Sequence, residues 1–127
     1  MVGVKRLITG PAGQDKLSYA LRSSGFPLYS ETLVPEQPAA LLNRGHLAIR
    51  QGMERGMSRE EMEAALLRYN VVVADEIGAG VIPLDPFERA WREETGRLLC
   101  AYAKRADVVE RMLVGIPMVI KGEKTWN

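Results

Sequence analysis

The sequence predicts an α/β fold: a mostly parallel sheet flanked by helices, with short strands near the C-terminus. Three observations carry this expectation. Val71, Val72 and Val73 form a β-branched apolar run, suited to a strand buried on both faces. The run ends in two carboxylates, Asp75 and Glu76, followed by Gly78 and Gly80. Val4–Thr9 is a second strand-like stretch, and it opens through Gly10 and Gly13 into Lys16 and a helical pattern. Strand-like and helix-like stretches then alternate, as βαβ units do.

Taken in order, the first strand, Val4–Thr9, is interrupted by Lys5 and Arg6. The helix that opens within Gly10–Ser18 runs to about Arg22, and Ser23, Ser24 and Gly25 end it, with Gly25 as a left-handed cap. Phe26–Thr32 reads as a short strand entered through Pro27. Pro35 and Pro38 mark a loop, after which a helix is expected from about Gln37 to Arg55. On that helix Leu42, His46 and Ile49 would share one face, with Arg50 one turn beyond His46. Ser58 with Glu61 three residues on is a capping box, and Met62, Ala65, Leu66 and Tyr69 form the buried stripe of the helix it starts. Asp85, Pro86 and Glu88 begin another helix reaching about Arg105, with Phe87, Trp91, Leu98 and Tyr102 as its core side. From Asp107 the chain reads as a strand, a kink at Gly115–Ile116–Pro117, a second short strand and a frayed tail, EKTWN.

Composition excludes several classes of function. A chain of 127 residues is expected to form one domain, residues 1–127. Its Lys+Arg count of 17 against Asp+Glu 16 gives no basic field for nucleic acid or anionic lipid. No apolar run approaches the ~20 residues of a membrane span. The N-terminal MVGVKRLITG carries its charge after the first apolar residues and lacks a cleavage pattern, so a cytoplasmic location is expected. Cys100 stands alone, which excludes a disulfide framework and a cysteine-based zinc site.

Strand, glycine turn, lysine and helix is the layout of a phosphate-binding loop, in which backbone N–H groups and a helix N-terminus cradle phosphate oxygens. The fold expected is therefore P-loop-like. In the pattern G-x-x-x-x-G-K-[ST], Gly10 and Lys16 stand at the right spacing, but Asp15 takes the second glycine position and Leu17 the hydroxyl position. Asp15 brings a negative charge and a Cβ where a polyanion must approach closely. Leu17 cannot ligate Mg²⁺, and Ser18 would point about 100° away on the helix. At the other strand end, Asp75 and Glu76 lie where ligands of open α/β sheets bind, so they are candidates to hold a metal or orient a nucleophile. His46 on an apolar face is either a packed residue or a nucleophilic, proton-transferring imidazole with Arg50 beside it to bind phosphate.

The second half of the chain resembles the bifunctional adenosylcobinamide kinase/adenosylcobinamide-phosphate guanylyltransferase family of cobalamin biosynthesis. The family's N-E-V-G-x-G-[IV]-V-P loop is matched by Glu76, Ile77, Gly78, Ala79, Gly80, Val81, Ile82 and Pro83. Its R-x-x-x-x-x-F-R-x-x-x-G helix is matched at Arg92 and Gly96, with Arg89 three residues before Arg92, and its A-D and closing strand at Ala106–Asp107, Gly115–Ile116–Pro117 and Ile120–Lys121. In the first half, Thr9–Gly10 and Lys16 fall on the family's phosphate loop, and Tyr29 and Thr32 resemble the end of its second strand. His46 with Arg50 resembles its H-x-x-x-R segment, whose histidine takes the guanylyl group. The departures are Asp15 and Leu17 in the loop, Asp75 where the family usually carries Asn, and Leu99 where it carries another Asn. Between Arg50 and Ser58 there is also no room for the strand bearing the family's further acidic, Mg²⁺-associated motif.

The resemblance implies two alternatives. In one, the protein is a nucleotide-dependent enzyme of cobinamide activation using ATP or GTP with Mg²⁺. Gly10, Gly13, Lys16 and Arg50 would then bind nucleotide, Asp75 the metal, and Glu76 and His46 would be catalytic. In the other, which the lost loop residues favour, it is a short relative with reduced or no catalysis. Such a relative could bind nucleotide or corrinoid and act as a homo-oligomer or with a full-length relative.

Overall fold

The structure, a computed structural model, describes residues 4–78 and 85–123. The six-stranded sheet has the order β2-β3-β4-β1-β5-β6. Its strands are β1 (Arg6–Gly10), β2 (Tyr29–Ser30), β3 (Leu41–Leu42), β4 (Val71–Asp75), β5 (Val108–Leu113) and β6 (Ile116–Lys121). All pairs are parallel except β5–β6. The helices are α1 (Lys16–Ser24), α2 (Gly45–Glu54), α3 (Arg59–Leu67) and α4 (Pro86–Arg105). The mostly parallel α/β fold expected from the sequence is the one present. No helix among the described residues is long and apolar enough to cross a membrane.

The two faces of the sheet are covered unequally. On one, Leu42, Val72, Leu7 and Val109 pack against Ile49, Leu66, Leu98 and Tyr102 from α2, α3 and α4. On the other, α1 is the one helix among the described residues, and it supplies Tyr19 and Ala20 against Ile8, Leu41, Val71, Val73 and Met112. Residues alternate between the two clusters along β1 and β4, as the period of a strand requires. β4 lies between β3 and β1, so Val71, Val72 and Val73 are all buried.

Beneath α1 lies a polar network. Glu110, with no exposed surface, accepts from Arg6 Nη2 at 2.8 Å and from the Tyr19 hydroxyl. Arg6 also donates to Ser23 Oγ at 2.9 Å. The basic pair that interrupts β1 in the sequence is thereby resolved. Arg6 faces this network, while Lys5 Nζ caps the end of α3 by donating to Leu67 O at 2.6 Å.

Several local expectations hold. Gly25 ends α1 in the left-handed region, with its N–H donating to Leu21 O. The Ser58–Glu61 capping box is complete, and Asp85 caps α4 by accepting from Phe87 N at 2.8 Å.

Others are corrected. The helix expected from Gln37 to Arg55 is a strand followed by a shorter helix: Leu41–Leu42 form β3 and α2 begins only at Gly45. Leu42 therefore does not share a helical face with His46. Its backbone is drawn into the sheet beside Val72, a tertiary pairing that overrides the local pattern. As expected, no strand lies between Arg50 and Ser58, but the place next to β4 is filled by β3, upstream of His46. The strand expected over Phe26–Thr32 contracts to Tyr29–Ser30. The kink near Pro117 is a two-residue hairpin turn at Val114 and Gly115, both at positive φ. Pro117 sits within β6, an edge strand that tolerates its missing N–H. Cys100 is exposed on α4. Ala79, Gly80, Val81, Ile82 and Pro83 of the sequence-matched loop, and the final KTWN, lie outside the described residues.

Candidate functional site

The site forms where β1 and β4 end side by side. Their register sets Gly10 opposite Asp75, and the Glu76 N–H donates to Gly10 O at 2.8 Å. After Gly10 the chain loops through Gly13 (φ 74°) and Asp15 (φ 58°) before α1 starts at Lys16. Asp15 is thus the N-cap of α1, but in the left-handed region, where its side chain makes no capping hydrogen bond. The amides of that first turn stay free of side-chain capping, which is how a phosphate-cradling helix start is left open. α2 begins in the same way, after Arg44 at φ 51° and with no side-chain cap. Gly45 lets it approach β4: a Cβ there would lie 3.1 Å from Val72 Cγ1 and 3.3 Å from the Val73 carbonyl oxygen.

The starts of both helices line one cavity of about 420 Å³, whose walls include Gly13, Lys16, Asn43, His46 and Asp75. Lys16 is buried within it. Its Nζ lies 2.8 Å from Asp75 Oδ1 and donates to Pro11 O at 2.6 Å. The cation that a phosphate loop presents to its ligand is here paired within the chain.

His46 stands behind Asp75. Its Nδ1 accepts the Asp75 backbone N–H at 3.0 Å, and its Nε2 lies 3.5 Å from Asp75 Oδ2. Because Nδ1 is an acceptor, the proton of the neutral ring is on Nε2, facing the carboxylate. Burial lowers the His46 pKa; Asp75 opposes this, and Lys16 and Arg44 add to it. The ring is therefore neutral at pH 7 and holds the end of β4 through Nδ1.

Of the residues singled out from the sequence, Gly13, Lys16, His46 and Asp75 converge on the cavity. Gly10, Glu76 and Arg50 do not line it. Gly10 (φ 147°) is required by packing, because a Cβ would collide with the Met112 carbonyl oxygen of β5. Glu76 forms a two-point ion pair with Arg111, at 2.5 and 3.1 Å. Arg50 pairs with Glu88 at 2.6 Å, its guanidinium 4.9 Å from the Phe87 ring centroid and 4.8 Å from that of Trp91. Trp91 Nε1 donates to His46 O at 2.8 Å, linking α4 to the first turn of α2.

Sequence reasoning missed Asn43 and Arg44. Both follow β3, and that strand was hidden inside an apparent helix. Asn43 Nδ2 donates to Glu31 Oε2 at 2.6 Å, holding the β2 end beside the cavity.

Among the described residues no group of three or more His, Cys, Asp or Glu could hold a metal ion. Asp75 could supply one oxygen to a Mg²⁺ ion carried largely by phosphates, the usual arrangement for that ion, while Leu17 offers none.

Parallel strand ends, a glycine-containing loop and two helix starts converging on a lysine and a carboxylate define an α/β domain of the phosphate-loop kind. Within that class the chain belongs to the cobinamide kinase / cobinamide phosphate guanyltransferase family, whose sequence model matches residues 39–120. His46, Arg50, Asp75 and Glu76 fall inside the match; Gly10, Gly13 and Lys16 precede it. The chain is also similar to the bifunctional adenosylcobalamin biosynthesis protein CobP of Pseudomonas aeruginosa, 40% identical over 53 residues. That stretch is 42% of this chain and 31% of the relative, so less than a third of the relative's length is matched.

Proposed function

We propose that this protein is a divergent family member in cobalamin biosynthesis with reduced or no catalysis. It keeps a phosphate pocket for ATP or GTP and works as a nucleotide-binding or partner subunit. The observation that carries the reading is the Lys16–Asp75 pair at 2.8 Å, buried on the lysine side. A triphosphate must displace Asp75 from Lys16 and approach past Asp15, so its binding competes with an internal ion pair. Phosphoryl transfer depends on positioning and electrostatic stabilisation, and the loop offers neither a second close-approach glycine nor a hydroxyl. The exposed apolar side chains of β6, including Ile116, Met118 and Ile120, support self-association or pairing with a full-length relative.

The second reading is an active kinase or guanylyltransferase acting on a corrinoid. It is favoured by the convergence of two uncapped helix starts on one cavity. In it Lys16 and Gly13 bind nucleotide, with Gly10 and Arg50 as supports. Asp75 holds Mg²⁺, Glu76 assists catalysis, and His46 receives the guanylyl group as pyrophosphate leaves. For that transfer a His46 nitrogen must present a lone pair. Nδ1 holds that lone pair but shares it with the Asp75 amide, so the ring would first have to release the amide; Nδ1 would then attack while the Asp75 carboxylate stabilises the positive charge that develops on the ring, whose proton stays on Nε2.

Calorimetric titration with ATP and with GTP, each with Mg²⁺, separates the readings. The proposal expects weak binding that Lys16→Ala weakens by ten-fold or more, about 1.4 kcal/mol. It also expects Asp75→Asn to tighten binding several-fold by releasing Lys16. Loss of binding in Asp75→Asn, together with cobinamide phosphorylation or guanylylation by the parent protein, would instead establish the enzyme. Absence of heat for both nucleotides, in the parent and in Asp75→Asn, would remove the nucleotide from the function altogether.

A further inference from the structure

Away from the phosphate pocket, the outward face of α4 carries a feature that the fold does not require. Gly96 lies near the middle of this 20-residue helix and is exposed. A glycine there weakens a helix relative to alanine, and no neighbour demands it: a Cβ at Gly96 meets nothing within 4 Å. The buried side of α4 is carried by Thr95, Leu98 and Tyr102. Gly96 instead forms part of the floor of an open groove of about 550 Å³ between α4 and Glu63 of α3.

The groove is positive in a chain whose charges otherwise nearly cancel. Four basic side chains line it, Arg92, Arg97, Lys104 and Arg105, against two acidic ones, Glu63 and Glu93. Among the described residues Arg97, Lys104 and Arg105 have no carboxylate partner. From Arg92 to Arg105 the helix rises about 20 Å, longer than a single small anion.

We infer that this groove docks an acidic polypeptide segment of a partner protein, whose main chain approaches α4 at Gly96 while its carboxylates meet Arg97, Lys104 and Arg105. A second copy of the same face is disfavoured, because two-fold packing of α4 on α4 sets a basic groove against a basic groove. A nucleic-acid backbone is disfavoured too: Glu63 and Glu93 would repel phosphates, whereas a peptide offers them N–H donors. The docking face is independent of whether the phosphate pocket binds nucleotide.

A display library of random peptides, selected in parallel against the parent protein, Gly96→Leu, and the double variant Arg97→Glu/Lys104→Glu, tests this. Selection on the parent is expected to enrich acidic peptides. The best of them, synthesised with a fluorescein label, should bind at least ten-fold more weakly to either variant by anisotropy, and more weakly as salt is raised. Gly96→Leu should melt no lower than the parent, since its side chain enters open space, so a loss of binding there is not a loss of fold. Enrichment without acidic bias, no enrichment, equal binding by Gly96→Leu, or tighter capture of RNA or polyphosphate than of the selected peptide would each overturn the assignment.

Discussion

Asp75 is the residue on which the pocket turns. Its carboxylate holds Lys16 on one side and faces the His46 ring on the other, while its amide fills the acceptor of that ring. Because burial depresses the His46 pKa in the folded protein, the unfolded chain binds the proton more readily. The stability that this contributes is complete above the unfolded value, near 6.5, and is lost as pH falls below it. Thermal melting followed between pH 7.5 and 5.5 should show a falling Tm in the parent. His46→Asn, whose side-chain oxygen can stand in for Nδ1 as acceptor, should flatten that fall; an unchanged pH profile would mean that His46 does not stay neutral. Lys16 and Asp75 were legible in the sequence because each sits at the end of a recognisable loop or strand, whereas His46 stood out only as a histidine on an apolar helical face with Arg50 one turn on. Their mutual engagement was not legible: Lys16 and Asp75 lie on different elements, and only the register of β1 with β4 brings them within 2.8 Å.

At the scale of elements, long and well-capped segments could be read and short ones could not. α3 and α4 announce themselves through a capping box, an N-cap with a following proline and clean periodicity. β3 has only Leu41 and Leu42, too few residues to show a period of two, and the apolar spacing of α2 extends by chance through them. The hairpin turn at the end of β5 was misplaced for a different reason. Val114 occupies a left-handed position (φ 52°) that a β-branched residue rarely takes, so it carries no turn signal. Its N–H donates to Gln14 Oε1 at 2.5 Å, tying this turn to the loop between β1 and α1. Two substitutions should move stability in opposite directions in urea titrations. Gly10→Ala forces a Cβ into the Met112 carbonyl oxygen and should cost about 1–3 kcal/mol. Val114→Asn creates the Asn-Gly pair preferred in such turns and should gain about 1 kcal/mol. If Gly10→Ala were neutral, the close approach of β1 to β5 would not be as drawn.

For the molecule as a whole, the Arg6–Glu110–Tyr19 network is the costly feature. It seats a carboxylate with no exposed surface under α1, the one helix packed on that face among the described residues. Breaking such a pair on one side leaves an uncompensated buried charge, so Arg6→Met should destabilise by about 3–5 kcal/mol. Arg6→Met/Glu110→Leu should recover much of that loss in the same urea titration. Equal destabilisation by the single and double variants would show that the charges themselves are not what the site is built on. Nothing in the sequence marked this pairing, since Arg6 and Glu110 lie more than a hundred positions apart in strands that read as separate units.

The unequal covering of the sheet bears on the order in which the molecule comes apart. Among the described residues, one face is sealed by three helices and a wide apolar cluster, whereas the other is covered by the nine residues of α1 over a smaller apolar cluster and a polar network. Small cooperative units with little buried apolar area open at lower free energy than the global transition. Amides of α1 and of the loop before it would then exchange with solvent through local opening while β4 and α4 stay closed. Any ligand that grips Lys16 acts on that opening first, so its binding would register as slowed exchange in α1 even where the global melting point hardly moves.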